Sequence, residues 1–455
     1  MQETIGVTRC RVNNLNPSTL LFIVVVLFSL PAAKAVVWDP PKPNPKNPVN
    51  YVEWVNETLG KGIEHNAFDD YMMAYGLIKP IDDKTAVFGR TGLTGGDGLS
   101  AWLRVSKKGL DVFRRASLAN EYFYRSEPSE ATGEPRVDQS TIVVMLPVLT
   151  QHRNIVKALL AEGNRASRYG NHPVLAANAL TTLRSSHHLY RSTQIIGRMT
   201  GIASAALAYR GIANALASST NPGSLDVQFV EALEAADPII PPLSLQAQMA
   251  RIMVWDFCQR AFEPAEKTGS WKIHGPMLKF FPRKFTDSEM NKIRGIGFDG
   301  TLREADEYFD AVDEWIDTPV HLTKSSEDDK RSLPRFERIK DETKNPFLDA
   351  LLPSLGKLRS LHERIIATRR ATHLIVHLHD YRQKNGVFPD SLNQLDLPNL
   401  AELRIDPFSG RDFTYRTTDA GFQLYSFGAN FQDDGGRHTY WKKEGDVVFW
   451  PVQPK

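Results

Sequence analysis

Cysteine is scarce in this chain, which has 2 cysteines among 455 residues, Cys10 and Cys258. A zinc site built from four cysteines is therefore excluded. If the N-terminal segment is removed, Cys258 alone remains and no internal disulfide can form. Because Cys258 stands among aromatic residues, we expect it to be a small residue of the core rather than a reactive thiol.

The chain also lacks an excess of charge of either sign. It carries 55 Lys and Arg side chains and 53 Asp and Glu side chains, a formal net charge of +2. That excess lies entirely in the first 35 residues, and the rest of the chain has 52 side chains of each sign. Proteins that bind nucleic acid normally show a basic patch or a high domain pI. We therefore expect no nucleic-acid partner.

Signatures of common enzyme classes are missing. The sequence has no G-x-S-x-G motif, and the glycine-rich stretch Arg90–Gly98 lacks the Gly-Lys-Ser/Thr of a phosphate loop. We interpret that stretch as a loop before a helix that begins at Leu99. No catalytic residue is predicted from a motif.

The apolar run near the N-terminus is shorter than a membrane-spanning helix requires. Leu20–Leu30 follows Arg9 and Arg11 and precedes Ala33-Lys34-Ala35. A basic region, a short apolar core and an A-x-A site are typical of a secretory signal peptide. Residues 1–35 are therefore predicted to export the chain to a periplasmic or other extracytoplasmic compartment.

An uncleaved anchor is the alternative for this segment. If Lys34 is tolerated, residues 20–38 are long enough to hold the protein in the inner membrane. In both cases the membrane is contacted only through the N-terminal segment. The proline-rich residues 36–50 that follow are predicted to be an extended, semi-rigid spacer.

Residues 51–345 are predicted to form a mainly helical domain of serial helical hairpins. Apolar residues recur at helical spacing, and turn signals such as Asp237-Pro238 separate the helices. Gly197 and Gly201 predict a helix packed tightly on a neighbour, because glycine lets two backbones approach closely. We interpret His187 and His188 as partners in interhelical hydrogen bonds.

Residues 346–455 are predicted to form a small α+β module. A helix over Leu355–Lys384 has one apolar face and ends at Asn385-Gly386. Three short strands are then predicted, which should form an antiparallel sheet against the helix: Phe413–Arg416, Phe422–Phe427 and Asp446–Trp450. The predicted fold class is thus mainly α with a small α+β C-terminal module.

The order of helix, turn and strands in the C-terminal segment resembles that of one known family. The segment Arg369–Phe449 resembles the globular part of the major pseudopilin of type II secretion. The shared features are Asn385-Gly386 with Phe388–Leu392, the turn Asp406–Gly410, and Leu424–Asn430 followed by an acidic, glycine-rich loop. In that family the loop between the last strands holds a calcium ion. The resemblance implies calcium ligands at Asn430 and Asp446, with Asp433 or Asp434 as further candidates.

The chain departs from the pseudopilin pattern in three places. Asn430 stands where the family usually has an aspartate, Arg437–Glu444 lengthens the loop, and the N-terminus lacks the pilin signature. We therefore do not expect the chain to polymerise into a pseudopilus. The helical part, especially Leu146–Phe262, is similar to a set of exported proteins of planctomycete-type bacteria that end in the same segment, which implies compartment and architecture.

A possible metal site lies on the long C-terminal helix. His373, His377 and Asp380 follow one another at i, i+4 and i+7 and so share one face. Imidazole and carboxylate groups at this spacing can bind a transition metal. The alternative is a histidine-rich helix, with His362 and His379 on other faces, whose side chains are solvated or packed.

The sequence favours an exported envelope protein that binds or scaffolds other proteins without catalysis. Its expected partners are envelope proteins, and its expected cofactor is calcium or none. A metal-dependent envelope hydrolase using His373, His377 and Asp380 is one alternative. An accessory of a type II secretion pseudopilus, contacting it through residues 362–455, is another.

Overall fold

A computed structural model describes most of the chain after the N-terminal segment. The described residues are 39–81, 98–127, 132–143, 148–218, 227–266, 270–281, 283–323, 334–352, 355–441 and 444–453. The predicted signal segment and the glycine-rich loop before Gly98 lie outside them. Residues Pro40–Lys455 form one compact unit. Within the described residues, no helix combines the length and the apolar character needed to cross a membrane.

Helices dominate the described chain, and five short strands accompany them. The helices are α1 (Tyr51–Leu59), α2 (Ala67–Leu77), α3 (Leu99–Ala116), α4 (Pro135–Asp138), α5 (Val148–Arg168), α6 (His172–Tyr190), α7 (Ile195–Ser218), α8 (Val227–Ala236), α9 (Ser244–Ala261), α10 (Asp287–Trp315), α11 (Arg335–Glu342), α12 (Pro346–Leu351), α13 (Leu355–Asn385) and α14 (Leu400–Leu403). The strands are β1 (Phe262–Pro264), β2 (Trp271–Ile273), β3 (Thr414–Thr418), β4 (Gly421–Ser426) and β5 (Val447–Trp450). The predicted fold class is confirmed.

Consecutive helices α5, α6 and α7 pack as hairpins through glycine. A Cβ added at Gly163 of α5 would lie 2.8 Å from the Cα of Leu175 on α6. One added at Gly201 of α7 would lie 2.9 Å from the carbonyl oxygen of Ser186 on α6. Both distances are shorter than real Cβ contacts, so only glycine permits this spacing. The predicted close approach of the Gly201 helix is confirmed.

Residues 39–50 lie on the helical body. The backbone N–H groups of Asn44 and Val49 both donate to Oε1 of Gln259 on α9, at 3.0 and 2.9 Å. Pro43 and Pro45 are buried. The described part of the predicted spacer therefore packs against α9 instead of extending from it. The reason is that the Gln259 amide satisfies backbone groups that a free proline-rich segment would leave to water.

Helix α10 has a capped start and a kink inside it. Its start is a capping box in which Thr286 and Glu289 each bond the other's backbone N–H. Inside it, Gly297 has φ +69°, and the ring of Trp271 lies where a Cβ would stand. The kink at this glycine lets the hairpin β1–β2 approach α10.

The C-terminal module has the predicted order of helix and sheet. Strands β3, β4 and β5 are antiparallel in that order, with Thr414 opposite Tyr425 and Tyr425 opposite Val448. Gly386, at φ +80°, ends α13 as predicted. Helix α13 contacts α7 and α8 as well as β4 and β5, so it is shared by the helical body and the sheet.

Two separate hydrophobic cores result from this packing. The larger core extends from α5–α9 through α10 and α13 to the sheet. The smaller core joins α2 and α3 to one face of α5, and includes Tyr71, Phe113, Ile155, Leu159 and Leu189. Cys258 is fully buried in the larger core, as predicted.

Candidate functional site

The carboxylate of Asp237, which directly follows α8, bonds side chains from three other helices. It is fully buried. His187 Nε2 on α6 lies 2.7 Å from Oδ1, and His373 Nε2 on α13 lies 2.8 Å from Oδ2. The hydroxyl of Tyr209 on α7 donates to both oxygens, at 2.9 and 2.8 Å. We call these four side chains the Asp237 hub.

Arg369 completes the surroundings of the hub. Its Nε and Nη2 donate to the backbone carbonyl of Asp237 at 3.2 and 2.9 Å, and its Nη1 donates to Glu402 at 3.2 Å. The guanidinium therefore bonds the end of α8 and also supplies positive charge 3.7 Å from Asp237 Oδ2. The hub thus links α6, α7, α8 and α13.

The electrostatic balance of the hub favours a charged carboxylate. Burial by itself raises the pKa of Asp237, because a charge is costly away from water. Hydrogen bonds from His187 and His373 outweigh that effect and hold the pKa of Asp237 well below its ordinary value. Burial and the nearby Asp237 charge raise the pKa of Tyr209, so its hydroxyl keeps its proton and donates.

The hub contains residues that the sequence pattern did not reveal. Asp237 is visible there only as part of an Asp-Pro turn signal, and Tyr209 and Arg369 as ordinary helix residues. His187 is 50 residues from Asp237, and His373 is 136. The interhelical hydrogen bond predicted for His188 is confirmed, since its Nδ1 lies 2.9 Å from the hydroxyl of Tyr71 on α2, while His187 bonds Asp237 directly after α8.

The predicted transition-metal residues have separate partners in this structure. His373 belongs to the Asp237 hub, His377 Nε2 lies 3.1 Å from Glu234, and Asp380 accepts from Lys384 at 2.7 Å. Within the described ranges, no three His, Cys, Asp or Glu side chains are grouped so that they could hold a metal ion. Sharing a helix face does not bring these groups to one point, because each is drawn to a different neighbouring residue.

The histidine-rich helix is packed and not solvated. His362, His373, His377 and His379 are all buried. The reason is that α13 is enclosed on several sides, by α7 and α8 and by the sheet. His379 is unusual among them, because neither ring nitrogen has a hydrogen-bond partner in the described part of the chain and the ring lies near Phe388, Phe422 and Trp450.

The predicted calcium residues lie in one loop between β4 and β5. Asn430 Nδ2 donates to Asp434 Oδ2 at 2.7 Å, and Asp433 Oδ1 accepts from the Tyr425 hydroxyl at 3.0 Å. Asp446 Oδ2 accepts from the backbone N–H of Gly436 at 2.6 Å. Among the described residues of this loop, no three His, Cys, Asp or Glu side chains are placed so that they could hold a metal ion.

Asp446 nevertheless has an unusual environment. It is fully buried, and its Oδ1 has no hydrogen-bond partner among the described residues. Burial raises its pKa, backbone hydrogen bonds from Gly436 and Asp434 lower it in part, and the charges of nearby Asp433 and Asp434 raise it slightly further. An oxygen of this kind suits a hard cation, which prefers carboxylate and carbonyl ligands. The loop therefore has the donor chemistry of a calcium site without its coordination geometry.

Asp237, Tyr209 and His373 of the hub are buried and His187 is partly exposed, whereas an apolar cleft lies open between α7 and α9. That cleft is lined by Thr141, Thr193, Gln194, Ile195, Ile196, Met199, Met249, Ala250 and Met253. Three of these residues are methionines, whose flexible side chains adapt to varied apolar shapes. Ile196 is 54% exposed, so an incoming group can reach it.

Comparison of the chain with family models, curated proteins and solved structures produced no match.

Proposed function

We propose that this chain is an exported protein of the cell envelope that binds or scaffolds another protein and does no chemistry itself. The observation that carries the proposal is the Asp237 hub. Carboxylate, imidazole and phenol groups that often serve catalysis bond one another there, away from solvent. Used in this way, they hold four helices in one rigid arrangement, which suits a binding scaffold.

The apolar cleft between α7 and α9 is the proposed binding surface. Its methionines suit an apolar side chain of a protein partner, as they do on adaptable binding surfaces. Helix α7 lines the cleft and also carries Tyr209 of the hub. The hub therefore holds this wall of the cleft in place. The partner class is an envelope protein that offers an exposed apolar side chain.

Site-specific crosslinking tests the proposed surface. A photo-crosslinking residue at Ile196, in the full-length chain expressed in its source cells, is expected to capture one discrete envelope protein. Ile239, which is 68% exposed and lies outside the cleft, is the matched control position. The same pattern at both positions, or no product at 196, would remove the cleft from the proposal. A pilus-like subunit captured from positions within 362–455 would favour the pseudopilus accessory instead.

Metal analysis separates the scaffold from the hydrolase alternative. The purified full-length protein is expected to contain no stoichiometric zinc or iron, because His373 and His377 bond Asp237 and Glu234. Zinc or iron at one equivalent, lost in His377→Ala but kept in the control His65→Gln, would overturn the non-catalytic assignment. His65 is suitable as a control because its side chain is 69% exposed.

We also propose, from the pseudopilin resemblance, that the loop from Gly428 to Asp446 binds calcium. The buried Oδ1 of Asp446 and the nearby Asp433 and Asp434 support the proposal. Calcium at about a hundredfold excess over its Kd is expected to stabilise the full-length protein by about 2.7 kcal/mol. Thermal unfolding with calcium and then with chelator measures this effect.

Comparing the variants Asp446→Asn and Asp419→Asn shows whether the calcium response comes from this loop. Asp419 lies exposed in the turn between β3 and β4, so its variant should keep the calcium response. Asp446→Asn should lose it. An equal response in both variants, or none in the parent protein, means that the loop does not bind calcium.

A further inference from the structure

Two tyrosines on α2 bond two buried histidines on two other helices. The Tyr71 hydroxyl lies 2.9 Å from His188 Nδ1 on α6, and the Tyr75 hydroxyl lies 2.9 Å from His152 Nδ1 on α5. Positions 71 and 75 are one helical turn apart and share a face of α2. All four side chains are buried. The contact between α2 and the hairpin α5–α6 is therefore centred on two imidazoles.

The surroundings of these imidazoles are aromatic. His188 is stacked on Tyr122, with ring centroids 5.5 Å apart, and the Phe113 ring lies 5.3 Å from His152. The titratable or charged groups facing His152 are His188, Tyr71 and Tyr75. Those facing His188 are Tyr71, Tyr122, His187 and Arg191. Among the described residues, no carboxylate is hydrogen-bonded to either ring.

The hydrogen bonds at both rings suit neutral imidazole. His188 Nε2 lies 2.9 Å from the Ala119 carbonyl, so that nitrogen carries the proton and Nδ1 accepts from Tyr71. His152 is 1% exposed, and its Nε2 has no hydrogen-bond partner among the residues that the structure describes. A second proton on His152 would place a charged ring with an unpaired nitrogen among apolar groups, which is costly.

The direction of the pH effect follows from this burial. Burial, and next the neighbouring His188, lower the pKa of His152 to about 3. Burial is also the main cause that lowers the pKa of His188 to about 4. Because both pKa values lie below the ordinary 6.5, the docked state is most stable above pH 6.5 and loses stability as the pH falls.

We propose that the helix pair α2–α3 is an acid-released element, which leaves the hairpin α5–α6 when His152 and His188 gain protons. The pair belongs to the smaller core, which is separate from the larger one. It can therefore open while α7, α10 and α13 stay packed. Opening uncovers the apolar face of α5, including Ile155 and Leu159, for contact with another apolar surface.

Hydrogen exchange of the full-length protein at several pH values tests the proposal, with rates corrected for intrinsic exchange. Between pH 6.5 and 5, the opening equilibrium of α2 and α3 amides is expected to rise about 15-fold for each imidazole, about 200-fold together. Amides of α10, which contains no histidine, serve as the internal reference. Their opening should rise less over the same range.

The double variant His152→Phe/Tyr75→Phe removes one imidazole with its partner and keeps the aromatic packing. It should retain only the rise of about 15-fold from His188. Tyr169→Phe, at a side chain that is 84% exposed, is the control and should keep the full rise. If the double variant fails to fold, Tyr75→Phe alone should lower protection at pH 7 and keep the full pH response.

Two results would overturn the proposal. One is equal protection of α2 and α3 at pH 7 and pH 5. The other is a rise of the same size in the double variant and the parent protein, or in α10 and α2 alike. The second result would place the acid response at other buried imidazoles, such as His362 and His379.

Discussion

At the scale of single residues, Asp237 has the largest predicted effect on stability. Asp237→Asn keeps the side chain's shape but removes the charge that accepts from His187, His373 and Tyr209. Removing one partner of a buried charged network typically costs about 3–5 kcal/mol. We therefore expect the free energy of unfolding to fall by about 3 kcal/mol. Urea unfolding at pH 7 measures it.

Asp380→Asn is the control for that variant, since it removes a carboxylate of α13 that lies outside the hub. Its partner Lys384 is 58% exposed, and such pairs contribute about 0.5 kcal/mol. Equal losses in the two variants would mean that the Asp237 hub does not stabilise the fold beyond a surface pair.

His379 is the residue whose replacement should increase stability. Both its ring nitrogens are buried without partners, and burial lowers its pKa to about 4. Because that pKa lies below 6.5, protons favour the unfolded chain as the pH falls. His379→Leu should be more stable at pH 7 by about 1 kcal/mol. Between pH 7 and pH 5, the free energy of unfolding should fall by about 2 kcal/mol less in this variant than in the parent protein.

Urea unfolding at the two pH values checks this prediction. The parent protein and Tyr169→Phe should show the same dependence on pH, since that replacement removes no imidazole and the side chain is 84% exposed. A His379→Leu variant that is less stable at pH 7 would show that the imidazole makes favourable contacts despite its unpaired nitrogens.

At the scale of elements, the glycine contacts decide how closely the helices approach. Gly201→Ala would place a Cβ 2.9 Å from the Ser186 carbonyl oxygen. Because the backbone must shift to relieve this close contact, we expect the free energy of unfolding to fall by about 1–3 kcal/mol. Gly295→Ala in α10 is the matched control, since nothing lies within 4 Å of its added Cβ. It should gain about 0.5–1 kcal/mol from helix propensity. Equal effects in thermal unfolding would contradict the close packing of α6 and α7.

At the scale of the whole molecule, α13 makes the C-terminal module part of one unit. It contacts α7, α8, β4 and β5, and Arg369 bonds the end of α8. A fragment of residues 355–455 would expose the α13 face that contacts α7. We therefore expect no cooperative unfolding of that fragment, and one transition for the full chain at pH 7. Urea titrations followed by circular dichroism check both. A fragment as stable as the full chain would support independent domains divided near residue 345.

Local patterns in the sequence determined much of the architecture. Helical spacing of apolar residues predicted the hairpins and the long helix α13, and Gly386 marked its end, because these signals depend on neighbours within a few residues. Gly201 indicated a close helix contact for the same reason. The burial of Cys258 among aromatic residues was also predictable.

Only the tertiary structure decided which polar groups meet. Asp237 joins His187 and His373 across 50 and 136 residues, and no local periodicity encodes such a pairing. The histidines of α13 share a helix face or adjoin it, yet each bonds or packs against a different part of the fold. Their partners depend on how α6, α7 and α8 and the sheet enclose α13. Packing of distant elements, and not the spacing of residues, therefore determines the chemistry available to these side chains.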